Sequence, residues 1–222
     1  MGLMPTVPVM RVLDPGVASA RLRTGDVLLF SGRGLASDTV RLFTRSYWSH
    51  IGIVVRIRGI NQPLVLESTT LSETNDLFQG RPVSGVALVP FADRVNEYDG
   101  VIALRQWHGD ALSPARQRMI ERLALRLCHR PYKNYVFCHL RAWLTGYPER
   151  DFSSMFCSEL VAELYRRAGR LPSQIDPRRF VPGHFASDGP EFIGGGLGDL
   201  QHLRDRTDCR ERAAVRASFA AT

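Results

Sequence analysis

Of the four cysteines in the chain, Cys157 has a setting that suits chemistry. It lies in Phe152-Ser153-Ser154-Met155-Phe156-Cys157-Ser158-Glu159-Leu160-Val161, where the first turn of a predicted helix leaves backbone N–H groups unpaired. Those groups and the helix dipole favour an anionic sulfur, and the same donors favour an oxyanion during acyl transfer. The competing reading is a small buried apolar side chain. Cys128 late in a helix, Cys138 in an aromatic run and Cys209 in the tail lack that setting.

A thiol nucleophile needs a base, most often a histidine oriented by a third polar group. His108, His129, His139, His184 and His202 fall in loops, in aromatic context or beside arginine, where a surface role is the default. His50 instead opens an apolar strand after Tyr47-Trp48-Ser49, as either a structural group or a site group. Glu67 closes the adjacent strand, and there it is either solvated or placed to hold the His50 ring. Hairpin register separates the two cases. A tight turn at Arg58-Gly59 sets His50 opposite Glu67 on one face. A loop from Gly59 to Gln62 keeps the face but parts them by roughly 13 Å along the strand. A register shifted by one residue puts them on opposite faces.

The elements that must position these residues follow from periodicity. Val27–Phe30, Ser49–Ile57, Leu64–Glu67, Gly85–Val89 and Val101–Leu104 read as strands, and the Leu35, Thr39, Leu42 and Phe43 spacing as a short helix. Ser113-Pro114 opens a helix whose apolar stripe is Ile120, Leu123, Ala124 and Leu127. A second helix runs from Cys157 to Ala168, with Ser153 and Ser154 before it and Gly169 as its stop. Strands followed by helices favour one α+β domain over residues 22–190. Residues 1–21 read as an irregular lead-in and 191–222 as a tail, flexible at Ile193–Gly196 and frayed or marginally helical from 200.

Composition narrows the class. The 222 residues are 44% hydrophobic and 23% charged, enough for a self-sufficient core without disulfide or metal staples. Nothing approaches the ~18 apolar residues of a transmembrane helix, and the Pro-punctuated N-terminus is a poor secretory signal. The thiols show no paired spacing, so a reducing, cytoplasmic compartment is expected, with signal-independent export left open. Of the 29 basic residues all but Lys133 are arginine, giving a net charge of +7. Those arginines are scattered over helices and loops, which argues against a specific nucleic-acid partner. Histidine and cysteine never cluster at ligand spacing and no phosphate loop follows a strand, so neither metal nor cofactor is expected.

Several blocks together carry a resemblance. Thr24-Gly25-Asp26-Val27-Leu28-Leu29-Phe30, Trp48-Ser49-His50-Ile51-Gly52-Ile53-Val54, Val65-Leu66-Glu67-Ser68 and Gly85–Pro90 resemble the first half of the circularly permuted papain-like (NlpC/P60 superfamily) cysteine hydrolases of the YiiX type. Pro131-Tyr132, Phe156-Cys157-Ser158-Glu159-Leu160-Val161 and Asp176-Pro177 with Phe180 are similar to their second half. The resemblance implies an α+β permuted papain-like fold, an antiparallel sheet packed against helices, and permutation accounts for histidine preceding cysteine. It also implies Cys157 as nucleophile, His50 as general base and Glu67 as the orienting residue. Two departures stand out: Lys133-Asn134 replaces the acidic residue that often follows the Pro-Tyr pair, and Phe156-Cys157-Ser158-Glu159 differs from the Asn-Cys-Glu-His block of lecithin–retinol-type acyltransferases.

The leading expectation is therefore an amidase or peptidase acting on a peptide or amino-acid conjugate, with peptidoglycan fragments as the implied class. The alternatives are a thiol acyltransferase or phospholipase on acyl lipids, for which Trp107 and Trp143 as exposed aromatics would suit peripheral membrane contact, and a non-catalytic binding module of the same fold.

Overall fold

The computed structural model describes residues 13–33, 35–69, 73–130, 157–187 and 189–204. Its centre is a six-stranded antiparallel sheet in the order β4-β3-β2-β1-β5-β8. The strands are β1 (Val27–Gly32), β2 (His50–Val55), β3 (Leu64–Thr69), β4 (Gly85–Pro90), β5 (Gly100–Arg105) and β8 (Gln201–Arg204), and β6 (Trp107–Gly109) pairs separately with β7 (Gly195–Leu197). Five helices are described: α1 (Pro15–Arg21), α2 (Leu35–Thr44), α3 (Phe91–Glu97), α4 (Pro114–Leu127) and α5 (Cys157–Arg167).

Both faces of the sheet are covered, which explains why its strands read as unbroken apolar runs and not as alternating patterns. Leu29, Ile51, Ile53, Leu66, Leu88 and Ala103 pack on one face against Leu160, Val161 and Leu164 of α5 and Ile120 and Ala124 of α4. Leu28, Phe30, Val54, Val65, Val89 and Leu104 pack on the other against Ala18 and Leu22 at α1 and Phe91 and Val95 of α3. The α+β class with an antiparallel sheet packed against helices is the observed architecture.

The helix α4 begins as its sequence dictates: the Ser113 side chain accepts from Arg116 N at 3.3 Å, and Pro114 occupies the first turn. Three expectations are corrected. Residues 15–21 are helical, because Asp14 accepts from Val17 N at 2.9 Å and Pro15 preorganises the first turn. Gly195–Leu197 forms β7 where flexibility was expected. Gln201–Arg204 is a strand, neither helical nor frayed, because the β5 edge offers it backbone partners. The helix α3 is an addition to the sequence reading; it follows β4 directly and supplies a residue to the site below. Pro131-Tyr132, Lys133-Asn134, Cys138, His139, Trp143, the Ser153, Ser154 and Phe156 flank of the cysteine, and residues 205–222 with Cys209 lie outside the described residues.

Candidate active site

His50 is the first residue of β2 and pairs with Phe30 near the end of β1. The hairpin takes none of the three registers considered from sequence: Gly52 pairs with Glu67, so Glu67 shares the face of His50 but lies one diagonal step away. Gly52 occupies the position between them on that face and carries no side chain, so the carboxylate spans the gap. His50 Nε2 and Glu67 Oε2 are 2.8 Å apart. Glu67 is completely buried, whereas the His50 side chain keeps 15% of its surface accessible.

A buried carboxylate needs a compensating charge. Arg94, from α3, provides it: its Nε lies 2.9 Å from Glu67 Oε1 and donates to Oε2 at 3.1 Å. The Arg94 guanidinium is held between the rings of Phe30 and Tyr98, 4.9 and 4.8 Å from their centroids, which fixes its plane. Phe30 also packs against the His50 ring at 5.4 Å between centroids. Arg94 was missed from sequence, although a signal was present. Phe91, Arg94 and Val95 stand at i, i+3, i+4 directly after a strand, and all three are buried on one face of the short helix.

Cys157 arrives from the opposite side of the sheet. It is the first residue of α5, buried, with a first turn that also contains Glu159. The Ser158 hydroxyl ties that turn to Phe180 O at 2.7 Å. The Cys157 side chain adjoins His50, the first residue of β2, closely enough to favour the protonated ring.

Burial by itself would lower the proton affinity of the imidazole. The adjoining Cys157 and Glu67 side chains together outweigh it, and the His50 pKa is raised to about 9. For Glu67 burial acts upward, but the Arg94 charge, followed by hydrogen bonding and charge from His50, holds the carboxyl down to about 2. The site at neutral pH therefore contains an ionised carboxylate and a protonated imidazole. Cys128 differs: burial, with the Asp76 charge adding, pushes its thiol up to about 12. Chemically, a thiol, an imidazole and a carboxylate stand in series, with an arginine holding the last member.

Neither a family model nor a curated protein matches the chain. Among solved structures it is similar to one described as the metalloprotein yiiX from Escherichia coli O157:H7, at 20% identity and a TM-score of 0.48, over 83% of this chain and 97% of that one. Among the described residues, no group of three or more His, Cys, Asp or Glu side chains is placed to hold a metal ion. Of the other described histidines, His129 lies 3.1 Å from Asp76, His184 accepts from Val181 N, and the His202 ring lies 6.2 Å from that of Trp48. Trp107, expected to be exposed, is buried, packed against Phe192 and Tyr165. Among the described residues, no helix is long and apolar enough to cross a membrane.

Proposed function

We propose that the chain is a cysteine hydrolase that cleaves an amide bond in a peptide or amino-acid conjugate. What supports this is the buried Glu67 carboxylate, 2.8 Å from the ring of His50, with the Cys157 thiol meeting that ring at a helix start. Cys157 attacks the carbonyl carbon as a thiolate, and the first-turn N–H groups of α5 face the developing oxyanion. The C–N bond breaks as His50 gives its proton to the departing amine, leaving a thioester on Cys157. Neutral His50 then takes a proton from water, whose oxygen attacks the thioester and releases acid and thiolate. Glu67 holds the ring and the imidazolium charge throughout, and Arg94 holds Glu67. Cell-wall peptides are the substrate class implied by the resemblance to the permuted papain-like enzymes.

The deciding comparison is turnover by wild type and Cys157→Ala across a panel of peptide amides and amino-acid conjugates. Wild-type turnover with loss of roughly a thousandfold or more in the variant is expected; equal turnover overturns the proposal.

One observation favours a second reading, in which the acyl donor is a lipid. Leu42 and Phe43 are 77% and 62% exposed on α2, with Tyr47 beside them. This helix belongs to the His50 end of the sheet, because Arg41 Nη1 donates to Gly32 O at 2.8 Å and Ser31 Oγ to Tyr47 O at 2.8 Å. Co-sedimentation with anionic vesicles and an acyl-lipid assay distinguish the two. Vesicle binding that Leu42→Ser/Phe43→Ser removes, with acyl transfer, favours the lipid; absence of binding at low salt removes it.

A further inference from the structure

A cavity of about 330 Å³ opens at the end of the sheet remote from Cys157. Leu22, Arg23 and Thr24 line it ahead of β1, Arg56 just past β2, Trp107 on β6 and Arg170 beyond α5. The 11 residues of α5 separate it from the thiol, roughly 16 Å of helix.

Arg170 is the unusual member. It is only 5% exposed, and its guanidinium lies over the Trp107 ring at 4.0 Å from the centroid. Its Nε and Nη1 are buried with no hydrogen-bond partner among the described residues. The polar groups beside it are the Tyr165 hydroxyl and the Asp26 carboxylate. Tyr165 donates to Gly25 O at 2.5 Å, and Asp26 accepts from Arg23 N at 2.8 Å and Trp107 N at 2.9 Å; both groups favour the Arg170 charge, yet Nε and Nη1 stay without a hydrogen bond. The berth for Arg170 is made by Gly25, where φ is +100° and a Cβ would stand 1.9 Å from Arg170 Nη1. A fixed, planar, buried cation stacked on an aromatic face is costly unless something anionic complements it.

The rest of the lining adds to that demand. Arg23, Arg56 and Arg170 form no salt bridge within 4.0 Å among the described residues, although the buried Asp26 carboxylate interacts by charge with Arg23 and Arg170. Arg56 spends its donors on the carbonyls of Leu22, Ser19 and Asn61, so its position is set and its charge is not neutralised. Thr24 Oγ1 accepts from Arg56 N at 2.9 Å and Gln117 Nε2 at 2.7 Å, which leaves its own O–H to donate. Asp110 is the one carboxylate among the lining residues, against three guanidinium groups. The volume exceeds that of a bare oxyanion and suits a metabolite-sized body.

We propose that this cavity binds a small organic anion through its carboxylate or phosphate group, held by Arg170, Arg23 and the Thr24 hydroxyl, with Asp110 facing a hydroxyl or amine elsewhere on the ligand. The site is separate from the Cys157 chemistry and does not depend on it.

The test is calorimetric titration of the full chain with two probes, inorganic phosphate and malonate, at low ionic strength. Saturable one-to-one binding of at least one probe is expected; phosphate alone marks a phosphate ester as the ligand class, and malonate alone a carboxylate. Arg170→Gln should weaken binding tenfold or more and the exposed Arg23→Gln severalfold, while Cys157→Ala leaves it unchanged. Because Arg170 is buried, far-ultraviolet circular dichroism of its variant is compared with wild type, and Arg23→Gln and Thr24→Val carry the test if that variant does not fold. Failure of both probes to saturate overturns the proposal. Binding unchanged in Arg23→Gln and Thr24→Val also does so, since the anion then sits elsewhere, as on the Arg118, Arg122 and Arg126 groove of α4.

Discussion

Gly52 lies directly across the β2–β3 ladder from Glu67, and a Cβ at position 52 would stand 2.6 Å from Val65 Cγ1 and 3.4 Å from Glu67 Cβ. The empty position is what lets a diagonal pair, His50 and Glu67, close to 2.8 Å. A strand otherwise made of apolar residues thus uses its one glycine to join base and carboxylate.

Gly52→Ala is expected to cost about 1–3 kcal/mol through overpacking and to displace Glu67 from the ring. Denaturant melts, together with the rate of Cys157 alkylation, check both effects. A variant as stable and as reactive as wild type would show that the glycine is incidental.

Arg94→Met leaves the fully buried Glu67 without its main compensating charge. Loss of one partner of a buried ion pair costs about 3–5 kcal/mol. The Glu67 pKa should rise from about 2 in this variant, moving the acid limb of any activity profile upward. Arg94→Lys keeps the charge but not the planar packing between Phe30 and Tyr98, and should recover only part of the loss.

The His50 pKa is raised from 6.5 to about 9, so the stabilisation from its protonated form is full below pH 6.5 and is lost as pH rises through 9. Glu67 is lowered from 4.5 to about 2, so its contribution is full above pH 4.5 and is lost as pH falls through 2. The unfolding free-energy difference between wild type and His50→Gln should therefore be larger at pH 6 than at pH 10. A difference independent of pH would place the charged imidazole outside the stabilising network.

Iodoacetamide should modify Cys157 well before Cys128 at pH 7, because burial pushes the Cys128 thiol up to about 12 and only the thiolate reacts. Peptide mass mapping over time reads the two sites separately. Cys157 labelling no faster than in the denatured chain would favour a non-catalytic binding module.

The candidate residues were legible because each sits at a chemical anomaly: a histidine opening an apolar strand, a glutamate closing one, a cysteine at a helix start. Their elements were legible too, since β1 through β5, α4 and α5 follow from apolar runs, 3.6-residue periodicity and caps such as Ser113. Arg94 had only a weak signal, because α3 has 7 residues and its i, i+3, i+4 face is a single turn of periodicity. Residues 201–204 misled because a four-residue edge strand takes its stability from β5 and not from its own pattern.

The sequence by itself determined which segments form the strands β1 through β5, because unbroken apolar runs bounded by turn residues are a local signal. It left the β2–β3 register undecided, since turn length alone allowed several pairings. Only the tertiary structure selected the pairing of Gly52 with Glu67 and brought Arg94 to Glu67 and Cys157 to His50 from helices on opposite faces of the sheet. Register and the meeting of distant elements depend on how the whole core packs, and that information resides in no single segment.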